Sequence, residues 1–251
     1  MKKTAILVFS ILFFAIVVRA QDRFDNMQWS FSLGTMSMPE ATFCDINGNP
    51  VAVSDQSTSL PLAVSLNYER ERMVSDLFGW GWQLGVGLRH SGWNATIPAG
   101  TPGVANYGMP PTEDYTLSIP MMGWNSRGGV YAALHLTPVV EFFGSVGATY
   151  IYYWNVGGKA KSSIFDDVDA GGSVTEPISC SLPGIYGQLG VKATFNRDYF
   201  VSLSATYARS LMQDSYEGSF DWEGSFYSTR LNTPFPSDLS VMLGIGIMIE
   251  D

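Results

Sequence analysis

Charged residues and histidines are scarce in this sequence, and the charge balance is acidic. Charged residues make up 15% of the 251 residues, histidine occurs twice, and the formal net charge is −9. An acidic chain lacks the basic face that binds nucleic acid, so we predict no nucleic-acid partner. So low a charge density is also unusual for the surface of a soluble domain. We predict no cofactor and no metal site.

Long hydrophobic runs are missing beyond the first twenty residues. The chain opens with Lys2 and Lys3, an apolar run from Ala5 to Val18, and the small residue Ala20. This pattern is typical of a cleaved secretory signal peptide. The run is shorter than the about 20 apolar residues that a membrane-spanning helix needs, which disfavours a retained anchor. We therefore predict a signal peptide at 1–20 and one mature domain at 21–251, which could be an integral membrane protein only as a β-barrel.

Glycine and aromatic residues are abundant, and the clearest pattern is an alternating stretch from Trp80 to His90. The sequence contains 26 glycines, and 14% of its residues are aromatic. Side chains alternate along a strand, so this stretch has one apolar face and one small or polar face. A soluble sandwich would bury the apolar face, whereas a membrane barrel turns it to lipid. The residues that we assign to the lipid-facing side are Trp80, Trp82, Leu84, Val86 and Leu88.

Seven further stretches show the same alternation. The eight predicted strands lie at about 27–36, 60–70, 80–90, 128–137, 141–154, 185–195, 199–209 and 239–249. Long and short connections alternate between them, which in an up-and-down sheet places all long loops at one end. The stretch from Tyr115 to Met122 could be a loop or an extension of the fourth strand. Aromatic residues fall near both ends of the strands, as in the two aromatic girdles of membrane barrels. Those near the short turns are Trp29, Tyr68, Trp80, Trp82, Phe142, Phe143 and Tyr199, and those near the long loops are Tyr150, Tyr152, Trp154 and Tyr207.

This layout resembles the small eight-stranded outer-membrane β-barrel proteins, of the OmpA membrane-domain and OmpX type. The terminal strand carries the most local element of the resemblance: Gly244, Ile247 and Ile249 match the spacing of the assembly signal, with Ile249 in place of the usual aromatic residue. The resemblance implies an all-β, eight-stranded, up-and-down antiparallel transmembrane barrel with four long external loops and three short periplasmic turns. It also implies a porin-like protein of the cell envelope that is exported to the outer membrane of a Gram-negative-type cell. The implied partners are outer-membrane lipid, lipopolysaccharide and the barrel assembly machinery.

Several polar residues lie on the faces that such a barrel would enclose. Eight strands enclose a space that side chains fill, and buried charges there are expected to pair. The predicted interior residues are Glu69, Gln83, Arg89, His135, Gln188 and Lys192. Cys44 and Cys180 could form a disulfide in an exported protein, and their spacing leaves two separate thiols equally open.

Three functions are compatible with these patterns. The first is an outer-membrane barrel with a structural or surface-binding, adhesive role carried by its long loops, whose extracellular ligand is unknown. The second is a soluble exported small-ligand binder of the lipocalin type. The third is a lipid-modifying outer-membrane enzyme using His90 or His135, but no nucleophile motif accompanies either histidine, and we predict no catalytic residue. Acidic loop residues such as Asp166 and Asp214 do not complete a calcium-binding pattern.

Overall fold

The computed structural model shows an all-β chain. It describes residues 26–37, 50, 52–101, 114–155, 159–162, 173–174, 179–195, 198–211, 216–222, 225–231 and 238–250. Within these ranges the strands are β1 (Asn26–Met36), β2 (Ser54–Thr58), β3 (Leu62–Ser75), β4 (Phe78–Ile97), β5 (Tyr115–His135), β6 (Val140–Asn155), β7 (Lys159–Ser162), β8 (Ser173–Val174), β9 (Ser179–Phe195), β10 (Tyr199–Ser210), β11 (Tyr216–Trp222), β12 (Ser225–Leu231) and β13 (Asp238–Glu250). No helix among the described residues is long and apolar enough to cross a membrane.

Eight of these strands close into an antiparallel barrel. Going around the wall, the order is β1, β3, β4, β5, β6, β9, β10 and β13, so that every strand pairs with its predecessor in this series. The first and last strands close the barrel, with Asn26 opposite Glu250. The predicted up-and-down barrel is confirmed, and both ends of the described wall lie at the short-turn end.

The short turns are stabilised by hydroxyl side chains. Between β3 and β4, the hydroxyl of Ser75 accepts hydrogen bonds from the backbone N–H groups of Leu77 and Phe78, at 3.3 and 3.1 Å. Between β5 and β6, the Thr137 hydroxyl accepts from the N–H of Val140 at 2.9 Å. Serine and threonine favour turns because their hydroxyls can replace backbone partners in this way. These contacts tighten the connections whose shortness the sequence predicts.

The outer wall is apolar along most of its height. The exposed fractions of its large side chains reach 74%, at Leu189, because no protein packs against them. Side chains that share this outward position are Phe31, Leu33, Leu66, Val86, Leu88, Val130, Phe142, Val146, Leu189, Leu203, Leu243 and Ile245. An apolar belt of this extent around a closed polar interior is the pattern of a membrane barrel rather than a soluble one.

Aromatic rings lie at both ends of the outer wall. Near the short turns, Tyr68 lies between Trp29 and Trp82, with ring centroids 4.5 and 5.2 Å away. Near the long loops, Trp124 packs on Tyr150 at 5.6 Å. One member of the predicted short-turn girdle is wrong: Phe143 points inward and is 5% exposed. Its odd number places it on the same face of β6 as Glu141 and Ser145, both of which are buried.

Two neighbouring strands rise well beyond the rest of the wall. β4 and β5 pair with each other without interruption up to Ile97 and Tyr115, whereas β3 ends opposite His90 and β6 ends opposite Met121. Above those points the short strand β2 pairs with the free edge of β4, and the short strand β7 pairs with the free edge of β5. The stretch 115–122 is therefore a strand extension and not a loop. We call this four-stranded region the external extension.

The long connections are partly ordered into strands of their own. β11 and β12 pair along their whole length, and β8 joins them through Ser173 and Val174, so segments of the last two long connections form one sheet. The predicted signal peptide at 1–20, the acidic residues Asp166 and Asp214, and Cys44 lie outside the described residues. Cys180 is placed in β9 by its backbone pairing with Tyr153, but its side chain is also outside the description, so the predicted disulfide stays a prediction.

Candidate functional site in the barrel interior

The interior at the short-turn end holds a buried ionic network centred on Lys192. The Lys192 ammonium lies 2.6 Å from a carboxylate oxygen of Glu69 and 3.2 Å from one of Glu141. It also contacts the side-chain oxygen of Gln28 at 2.7 Å and the hydroxyl of Tyr131 at 2.6 Å. Burying a charge is costly unless it is paired and hydrogen-bonded, and this lysine satisfies both conditions.

Aromatic rings complete the surroundings of Lys192. Its ammonium lies 4.6 to 5.3 Å from the ring centroids of Tyr131, Phe143 and Phe200. A cation near an aromatic face is attracted by the quadrupole of the ring, and the attraction strengthens where water is excluded. This attraction to the Lys192 ammonium stabilises the Phe143 ring inside the barrel. Gly190 leaves it room, because a Cβ at that position would lie 2.4 Å from the Phe143 ring.

A second group of carboxylates lies next to this network. The Nε2 atom of His135 is 2.8 Å from a carboxylate oxygen of Glu71, and its Nδ1 atom is 3.7 Å from Glu141. The Glu71 side chain is wholly buried, whereas His135 at the end of β5 keeps 21% of its side chain exposed. Gly79 provides the space for Glu71, since a Cβ there would lie 1.9 Å from its carboxylate. These residues approach one another because the ends of β3, β5 and the start of β6 meet at the short-turn rim.

Arg127 crosses the middle of the barrel. Its guanidinium donates to the side-chain oxygen of Asn67 at 2.7 Å and to the hydroxyl of Thr206 at 3.2 Å. A Cβ on Gly85 would lie 2.8 Å from the Arg127 side chain, so this glycine allows the arginine to lie flat against β4. Arg127 thus links β5 to β3 and to β10 through the interior.

At the long-loop end the interior becomes apolar around one ion pair. Arg89 and Asp238 form a direct salt bridge, and Arg89 also donates to the Tyr153 hydroxyl at 3.3 Å. Buried apolar side chains lie at the same end of the barrel as this pair, and the Met36 sulfur is 3.6 Å from the Arg89 guanidinium. The ones that are at most 6% exposed are Met36, Ala63, Trp93, Ala95, Ile97, Met121, Ile151, Leu182 and Ala208.

The structure places the predicted interior residues on the enclosed face. Glu69, Gln83, Arg89, Gln188 and Lys192 are each at most 6% exposed. Gln83 donates to Glu69 at 3.0 Å, and Ser145 donates to Gln188 at 3.2 Å. Glu69, Gln83, Lys192 and His135 belong to the short-turn end, whereas Arg89 is in a separate ion pair at the other end.

The predicted lipid-facing residues lie on β4, and the predicted assembly-signal residues lie on β13. On β4, Trp80, Val86 and Leu88 are 44%, 54% and 52% exposed on the outer wall. Trp82 and Leu84 are half-buried on the same face. On β13, Ile247 and Ile249 point outward, and Gly244 points inward. Gly244 permits a close approach, because a Cβ there would lie 2.5 Å from the Ser202 hydroxyl. Recognition of this strand by the assembly machinery remains a prediction.

Sequence reasoning missed Glu71, Glu141, Tyr131, Arg127 and Asp238. All five have the parity of the enclosed face of their strands: Tyr131 and Glu141 lie inside the predicted strands at 128–137 and 141–154, and the other three lie one residue beyond a predicted end. Glu71 follows Glu69 by two positions, for example, and lies one residue beyond the predicted strand. Asp238 lies one residue before the predicted strand at 239–249. Tyr131 alternates with the outward Val130, so the same parity indicates its inward position, although an aromatic residue by itself indicates neither face.

Known proteins resemble this chain in structure but not in sequence. No protein-family model and no curated protein matches it. Among solved structures, the outer membrane protein OprG from Pseudomonas aeruginosa superimposes with a TM-score of 0.51 at 11% identity, over 91% of this chain and 97% of OprG. A major outer membrane protein from Thermus thermophilus gives a TM-score of 0.46 at 11% identity, over 89% of this chain and 99% of that one. The outer membrane protease OmpT from Escherichia coli gives 0.44 at 10% identity, over 90% and 97%.

These identities are low, and only the likeness to OprG bears on the fold. The closed antiparallel wall, the apolar belt and the polar interior agree with that likeness, and the predicted outer-membrane location agrees with the location of OprG. The chain is therefore a closed eight-stranded β-barrel of the outer-membrane type.

Proposed function

We propose that this protein is an integral outer-membrane barrel with a structural, filled interior and a surface-binding role at its external end. The interior supports the first half of this proposal. Lys192, Arg127 and Arg89 lie at three heights of the barrel, and each is held by side chains from other strands. A barrel of eight strands leaves space that side chains just fill, so this arrangement is expected to oppose the diffusion of solutes.

The observation that carries the second half is the external extension. Along β4 the apolar side chains change faces: Trp80, Val86 and Leu88 point outward, whereas Trp93 and Ile97 point inward and are 1% and 4% exposed. The pairing of β4 with β5 contains no bulge, so the change lies in the residue types and not in the register. A strand that buries its apolar face and turns its polar face outward is suited to contact with water on its outer side. β4 and β5 thus continue as a folded structure beyond the membrane.

The other candidate functions receive less support. The apolar outer wall does not favour a soluble small-ligand binder, because a soluble barrel keeps large apolar patches off its surface. For an enzyme, His135 contacts two carboxylates, and no serine, threonine or cysteine contacts it in the part of the chain that the structure describes. His90 is exposed on the outer wall.

The experiment compares cells that display the full chain with cells that display a variant without the external extension, in which the stretch 91–121 is replaced by a short glycine–serine turn between the paired residues His90 and Met122. Equal amounts of barrel in the membrane are verified by heat-modifiable gel mobility. We expect the full chain to increase retention of cells on epithelial monolayers or on one another, and the shortened variant to lose that increase. Equal retention by the two strains, or by a strain without the protein, would overturn the surface-binding role. Conductance of the full chain in planar bilayers tests the filled interior, and a steady open pore would contradict it.

A further inference from the structure

The short-turn end of the interior contains a second set of possible ligand atoms, which shares Glu141 with the ionic network of Lys192. Glu71, His135 and Glu141 each offer one nitrogen or carboxylate oxygen, and these atoms lie within 4.8 Å of one another. They come from β3, β5 and β6; β5 and β6 are neighbours and β4 lies between β3 and β5, so the barrel wall fixes their spacing. We propose that these three side chains form a binding site for a divalent transition-metal ion, such as Zn²⁺.

The charge balance supports a cation at this position. Glu71 is wholly buried, and its contacts among the described residues are the Gln28 amide, at 3.4 Å, and His135. Lys192 is already held by Glu69 and Glu141, at 2.6 and 3.2 Å. A buried carboxylate without a compensating charge is strongly disfavoured, and a bound cation would provide that charge.

The ligand types select the class of metal. Imidazole nitrogen favours zinc and its neighbours over magnesium and calcium, and one histidine with two carboxylates resembles the ligand sets of open zinc sites. Zinc bonds to such atoms measure about 2.0–2.2 Å, so tetrahedral ligand atoms lie about 3.4 Å apart. The pair of His135 and Glu71 lies at 2.8 Å, and the ligand atoms of all three residues lie within 4.8 Å, so shifts of about 1 Å would give this spacing.

The surroundings provide a second shell and an entry path. Tyr131 donates a hydrogen bond to Glu141, and Gln28 donates one to Glu71, so both carboxylates are oriented from outside the site. Such outer contacts commonly decide metal affinity by factors of about 10 to 100. His135 is the most exposed of the three ligands and lies at the rim, where an ion could enter from the short-turn side. With three protein ligands, a tetrahedral ion would keep one position for water.

The test measures zinc binding to the full chain refolded in detergent micelles, using competition with a chromogenic chelator. We expect one zinc ion per barrel, and at least about tenfold weaker binding in His135→Gln and in Glu71→Gln. The matched control is His90→Gln, which removes the other histidine from the outer wall and should bind zinc like the wild type. Heat-modifiable mobility shows whether each variant is folded.

A second measurement does not depend on variants. X-ray absorption of the zinc-loaded wild type should show only nitrogen and oxygen ligands, with the scattering of one imidazole. Absence of stoichiometric binding, equal affinity in folded His135→Gln, or a spectrum without imidazole would each overturn the metal site. None of these results bears on the external extension, so the failure of this proposal is distinguishable from failure of the proposed function.

Discussion

The lower and upper parts of β4 are built on opposite plans, although they belong to one uninterrupted strand. From Trp80 to Leu88 the apolar side chains face outward, and the enclosed positions are glycine and Gln83. From Trp93 to Ile97 the enclosed positions are apolar and the outward ones are polar. The solvent outside the wall explains the difference, because lipid favours apolar side chains there and water does not. The point where the alternation inverts, near His90, therefore marks the external edge of the membrane.

The interior at the short-turn end, which we call the lower interior, is expected to lose the most stability from a single substitution. Lys192→Met leaves Glu69 and Glu141 buried without their cation, and removing one partner of a buried pair costs about 3 to 5 kcal/mol. We expect a loss of this size in the free energy of unfolding, measured by urea titration in lipid vesicles. The double variant Lys192→Met/Glu69→Gln should recover part of it. An unchanged unfolding midpoint in Lys192→Met would show that the network does not support the barrel.

The upper interior should respond to loss of packing instead. Trp93→Ala removes a side chain that is 1% exposed, and such truncations cost about 3 to 5 kcal/mol. We expect faster hydrogen exchange in the upper rungs of β4 and β5, with the lower rungs protected as in the wild type. Trp80→Ala, on the outer wall, is the matched control and should leave the upper rungs unchanged. Equal exchange in the two variants would mean that the extension is not held by its apolar face.

The lower outer wall tests the lipid contact directly. Val86 is 54% exposed and lies between Leu66 and Ser126 of the neighbouring strands. Val86→Arg should destabilise the inserted barrel by about 2 to 4 kcal/mol if the residue lies near the bilayer midplane. The measurement is the unfolding free energy in vesicles. An unfolding free energy that Val86→Arg leaves unchanged would refute the lipid-facing assignment of Val86.

The upper outer wall should show the smallest effect. Thr96 has the same outward parity as Val86 but lies beyond the inversion, next to Ser54 of β2. Thr96→Arg is therefore expected to change the unfolding free energy by less than about 0.5 kcal/mol, as surface substitutions in water usually do. A penalty as large as that of Val86→Arg would move the membrane edge above Thr96 and remove the contrast between the two halves.

Prediction from sequence succeeded where the alternation was long and uniform. The terminal strands and the strand at 199–209 were predicted to within one or two residues, because the alternation of outward apolar residues runs through nearly their whole length. β4 and β5 were predicted too short, since the alternation inverts inside them and each half taken alone resembles a separate element. Phe143 was assigned to the wrong face because an aromatic residue suits both lipid and the surroundings of a buried ammonium.

The sequence by itself determined the class of fold and the direction in which most side chains point. A period of two, repeated eight times between alternating long and short connections, is compatible with few other architectures. Only the tertiary structure decided which polar residues meet. Glu71, His135 and Glu141 lie up to 70 positions apart in the sequence numbering, and their convergence depends on strand stagger and barrel closure, which local patterns do not encode. The tertiary structure also decided which apolar side chains are buried at the long-loop end, because this depends on the height at which each neighbouring strand ends.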